Sequence, residues 1–86
     1  MDVTILLGSS SDFPIAQKCT KILEHFDVPY QLRVASAHRS PKFVEQIVGD
    51  AIDDGCSVFI AMAGLAAALP GAVAALTTKP VIGVPC

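Results

Sequence analysis

Four short apolar runs, VTILL at 3–7, YQLRVA at 30–35, SVFIAMA at 57–63 and KPVIGVP at 79–85, are separated by segments whose apolar residues return at helical spacing. No other feature constrains the fold as much. Ile15, Ala16, Cys19, Ile22, Leu23 and Phe26 trace one helical face, with Asp12 placed to cap it and Pro14 tolerated in its first turn. Phe43, Val44, Ile47, Val48, Ala51 and Ile52 trace a second, opened by Ser40-Pro41 and closed by Gly55. Residues 64–76 (GLAAALPGAVAAL) form a small-residue turn feeding a third helix. Strict strand–helix alternation predicts parallel strands joined by crossovers, an open α/β sheet with helices on its faces.

One domain, spanning 1–86, is all that this length allows. The chain stops as its fourth strand ends, so the sheet is expected to be part of a longer domain, truncated after that strand. With 52% of residues hydrophobic and only 16% charged, polar surface is scarce, and some apolar surface is expected to meet another subunit or a further part of the polypeptide. A net charge of −2 with scattered Lys and Arg argues against nucleic-acid binding. The apolar run at residues 3–7 is far too short to cross a membrane and no basic segment precedes it. Cys19, Cys56 and Cys86 show neither a disulfide framework nor a metal-ligand spacing. No metal is expected, and a reducing, cytoplasmic setting is the default.

In open α/β sheets ligands bind beyond the carboxyl ends of the strands, where strand order reverses. Three segments fall there: GSSSD at 8–12, SAHR at 36–39 and AGLAAALPG at 63–71. In the first, backbone N–H groups and hydroxyls precede a helix, a setting that suits a phosphate, while Asp12 suits a sugar hydroxyl or ring amine. The alternative is a plain capped turn. In the second, His38 has the side chain best suited to giving and taking a proton near neutrality, and Arg39 offers a bidentate anion contact. The alternative there is a solvated loop. The third has no titratable group and offers only backbone donors and shape, or else tight packing. His25, by contrast, reads as a surface partner of its own helix terminus.

GSSSD, SAHR and AGLAAALPG, followed by PVIGVP in the same order and spacing, resemble the PurE family of purine biosynthesis. That family comprises the N5-carboxyaminoimidazole ribonucleotide mutases and the aminoimidazole ribonucleotide carboxylases. The resemblance implies a flavodoxin-like three-layer α/β/α sandwich assembled into a homo-octamer. The implied reaction moves a carboxylate from N5 to C4 of the ribonucleotide without metal, ATP or organic cofactor. It implies His38 as general acid/base, with Ser9, Ser11 and Asp12 on the ribose-phosphate portion. Ser36, Ala37 and Arg39, and then Gly64, Ala66 and Leu69, are the further substrate contacts it implies. Arginine at the end of SAHR resembles the mutase pattern, whereas direct CO2-dependent carboxylation, or a non-catalytic binding module, is the alternative reading. Leu65 and Ala68 stand where many bacterial mutases carry glycine and histidine.

Overall fold

The strands and helices come in the order the sequence predicts, in a computed structural model that describes residues 1–64 and 68–86. The strands are β1 (Val3–Leu7), β2 (Tyr30–Val34), β3 (Val58–Ala63) and β4 (Val81–Pro85). Between them lie α1 (Phe13–His25), α2 (Pro41–Asp53) and the short α3 (Leu69–Ala74), with a 3-10 turn at Ser10–Asp12 leading into α1. All pairings are parallel and the strand order is β2-β1-β3-β4. Order therefore reverses between β1 and β3, as in flavodoxin-like sheets.

The pleat divides the core in two. Leu6, Phe59, Ala61 and Ala63 face α2 and α3, meeting Val44, Ile47, Val48, Leu69 and Val73. Val3, Ile5, Leu7, Ile60 and Met62 face α1, meeting Ala16. β1 is buried at every position, which is why it reads as an unbroken apolar run covered on both faces. Thr4 is its one polar residue and is fully buried. Its hydroxyl donates to Cys56 Sγ (3.3 Å) and accepts from Gln31 Nε2 (3.1 Å), so the group is satisfied.

Both long helices end alike. At the end of α2 the Cys56 N–H reaches Ala51 O (2.9 Å) and the Gly55 N–H reaches Ile52 O (3.0 Å), with Gly55 at φ +88. At the end of α1 the Val28 N–H reaches Leu23 O (2.9 Å) and the Asp27 N–H reaches Glu24 O (3.1 Å), with Asp27 at φ 55. These paired bonds satisfy carbonyls that a helix end would leave open.

Three local expectations are corrected. Asp12 precedes α1, yet its backbone is already helical and its side chain makes no capping bond. The cap moves to Ser9, whose Oγ accepts from the Ser11 N–H at the start of the 3-10 turn. Ser40 likewise precedes α2 without a side-chain cap. Finally, the apolar face of α1 is only half core: Ala16 is its one buried residue, Cys19 and Leu23 pack partly buried against the sheet, and Ile22 and Phe26 remain 60% and 68% exposed. A wide apolar stripe on one helix exceeds what a single flat contact with the sheet can cover.

Candidate active site

Three strand ends converge. β1 hands over to Gly8, β2 to Ala35 and Ser36, and β3 to Gly64, all on one edge of the sheet at the point of order reversal. The Gly8 N–H donates to Met62 O (2.9 Å) and the Ala35 N–H to Leu7 O (2.8 Å), which extends the ladder by one step past each strand. A Cβ on Gly8 would lie 3.2 Å from Ala63 Cβ, so glycine allows the first and third segments to approach closely.

Each loop is then fixed by its own hydroxyls. Ser9 Oγ lies 3.0 Å from Ser11 Oγ and accepts from the Ser11 N–H, and the Asp12 N–H returns to Ser9 O at 3.1 Å. In the second loop the Arg39 N–H donates to Ser36 Oγ (3.2 Å) and the Ser40 N–H to Ser36 O (2.9 Å). His38 is thereby carried on a closed turn with its side chain exposed.

A cavity of about 240 Å³ opens between the loops, lined by Ser9, Ser11, Asp12, Ser36, Ala37, His38, Gly64 and Leu69, together with Gly8, Ala63 and Ala68. Arg39 is not among them. It lines an adjoining groove of about 560 Å³ with Ser10, Val34, Ala35, Ser40 and Phe43, and the two spaces share Gly8, Ser9 and Ser36 as a common wall. The structure thus brings together every sequence-predicted site residue that it describes, with the histidine and the arginine on either side of that wall. Ala66 lies outside the described residues, as does Leu65.

Sequence reasoning missed Phe43 as a wall of this groove, because helical spacing assigned it to the core. It is 41% exposed and lies beneath the Arg33 guanidinium, 5.7 Å from the ring centroid. Arg33 on β2 and Phe43 on α2 were legible separately, but their contact was not. Cys86 also adjoins the site: its N–H donates to Ala63 O (2.8 Å), and burial, then the nearby Asp12 carboxylate, push its thiol pKa up. That is the wrong direction for a thiolate nucleophile. No cluster of metal-ligating side chains occurs among the described residues.

A histidine in a cavity and an arginine in a connected groove, joined by hydroxyls, are an arrangement chemically suited to a ligand with a ring at one end and an anion at the other. Comparison with known proteins places the chain in a family. The family profile described as AIR carboxylase matches residues 2–86. The chain belongs to the AIR carboxylase family. Among members of that family, it is 58% identical over 83 residues to the N5-carboxyaminoimidazole ribonucleotide mutase of Methanocaldococcus jannaschii, covering 96% of this chain and 51% of the relative. It is likewise 58% identical over 83 residues to a probable N5-carboxyaminoimidazole ribonucleotide mutase of Methanobrevibacter smithii, covering 96% of this chain and 24% of that one. The crystal structure of Treponema denticola PurE superposes with a TM-score of 0.89 at 34% identity, covering 98% of this chain and 54% of its own. The chain therefore spans about half the length, or less, of these AIR carboxylase relatives.

Proposed function

We propose that the site binds a carboxylated aminoimidazole ribonucleotide and moves its carboxylate from N5 to C4, as the names of its mutase relatives suggest. The observation that carries this reading is the division of the site into a His38 cavity and an Arg39 groove with Ser9 and Ser36 between them. The phosphate lies toward Arg39 and the serine hydroxyls, in charge-assisted hydrogen bonds. The imidazole ring of the substrate lies toward His38, and Asp12 accepts from a ribose hydroxyl or the exocyclic amine.

Protonated His38 gives its proton to the N5 carbamate nitrogen, the N–C bond breaks and CO2 is released within the cavity. Ring C4 attacks the CO2 carbon, forming the new C–C bond, and neutral His38 then removes the C4 proton. The histidine ends as it began, so no net proton is consumed. The small apolar walls at Ala37, Ala63 and Leu69 exclude water and keep CO2 near C4.

The test is to incubate the protein with N5-carboxyaminoimidazole ribonucleotide and follow the C4-carboxylated isomer. His38→Asn should reduce conversion by about 10²-fold or more while ligand binding persists; equal conversion by the variant defeats the proposal. The name of the family favours a second reading, direct carboxylation of aminoimidazole ribonucleotide by CO2. Turnover of the two substrates at fixed bicarbonate separates them. The reading carries with it a cytoplasmic setting and assembly with further copies into an octamer.

A further inference from the structure

Gly83 lies inside β4, opposite Ala61 on β3. Glycine inside a strand sacrifices packing and costs more backbone entropy than any other residue. Its φ is outside the left-handed region, so conformational freedom is not the reason for it. Space is the reason: a Cβ built at Gly83 would lie 3.3 Å from both Cβ and Cγ of Pro70, and beyond its own chain neighbours it would meet no other heavy atom within 4 Å among the described residues.

Pro70 belongs to the first turn of α3, and the two residues before it, Ala68 and Leu69, line the cavity. Ala68 is tied into that turn, because its carbonyl accepts from the Ala72 N–H at 2.9 Å. Pushing Pro70 away from β4 therefore carries Ala68 and Leu69 with it. We propose that Gly83 is a positioning residue: its missing side chain lets the Pro70 turn rest on β4 and so sets where the Ala68–Leu69 wall of the cavity stands. The consequence for ligand binding rests on reading the cavity as a ribonucleotide site.

The test compares the wild-type protein with Gly83→Ala, Pro70→Gly and the double variant. The probe is 4-carboxy-5-aminoimidazole ribonucleotide, titrated by calorimetry, with backbone amide shifts recorded in parallel. Gly83→Ala should weaken binding about threefold to tenfold, scaled down from the roughly 10²-fold loss that a full 1 Å misplacement can cause. It should also shift the Ala68 and Leu69 amides while leaving Ser36 to Arg39 in place. Adding Pro70→Gly, which removes both contacted atoms, should restore affinity and shifts toward those of Pro70→Gly alone. A purely local effect of alanine on strand β4 would not be rescued. If wild-type protein binds and Gly83→Ala binds equally well, the positioning role fails and the functional reading stands. If wild-type protein does not bind, the functional reading fails, and the amide shifts alone decide the positioning role. Unmoved Ala68 and Leu69 amides in Gly83→Ala overturn it. Should Gly83→Ala not fold, recovery of folding in the double variant supports the contact, and no recovery overturns it.

Discussion

Ser36 shows how one residue serves both the loop and the site. Its hydroxyl holds the Arg39 N–H and its carbonyl holds the Ser40 N–H, so the turn that carries His38 closes on Ser36. Ser36→Ala should retain the fold, lose about 1 kcal/mol and, on the proposed reading of the site, weaken binding of the ribonucleotide; calorimetry beside thermal unfolding checks this. Away from the site, the Tyr30 hydroxyl donates to Glu24 Oε1 at 2.6 Å, and that bond is the chief reason the phenol pKa is raised. A raised folded-state pKa means a contribution that is fully present below the unfolded phenol's value of about 10 and is lost as pH rises through the folded value. Comparing urea unfolding of the wild type and Tyr30→Phe should therefore show a difference at pH 8 that shrinks above pH 10. A difference that grows with pH would contradict this sign.

At the scale of elements, the two helix ends make a matched pair. Gly55 and Asp27 occupy equivalent left-handed positions after α2 and α1, at φ +88 and φ 55. Only glycine takes that conformation without a Cβ penalty. Gly55→Ala should therefore cost about 1 kcal/mol and Asp27→Gly should gain up to about 1 kcal/mol, both by chemical denaturation. Gly49 is the control. It lies in α2, and outside the helix's own backbone nothing comes within 4 Å of its would-be Cβ, so Gly49→Ala should stabilise by about 1 kcal/mol. Opposite signs for alanine at two glycines six residues apart would show that backbone geometry, not residue type, decides.

For the whole molecule, the balance of surface matters most. Phe59 is fully buried at the centre of the α2–α3 side, and Phe59→Ala should cost about 3–5 kcal/mol. That is a large share of the roughly 5–15 kcal/mol available to a domain, and loss of cooperative unfolding is the expected result. On the other side, Ile22, Phe26 and Ile82 are each more than half exposed. Large apolar residues left in water at that density favour association. Sedimentation should show concentration-dependent assembly that Phe26→Ser with Ile22→Ser weakens; a monomer at every concentration would defeat that expectation. No helix among the described residues is long and apolar enough to cross a membrane.

The sequence by itself determined the element order, the parallel sheet and the three loops at the strand ends, because periodicity and turn residues are local properties. It also picked out His38 and Arg39, since a histidine beside an arginine is legible without coordinates. Gly55 announced the end of α2, whereas Asp27 gave no sign that it closes α1, because its left-handed backbone is imposed by the Leu23–Val28 bond. Only the tertiary structure decided that His38 and Arg39 face two spaces divided by Ser9 and Ser36, that Phe43 leaves the core to sit under Arg33, and that Gly83 faces Pro70. Each of these depends on the distance between segments far apart in the chain, and a one-dimensional pattern holds no such distance.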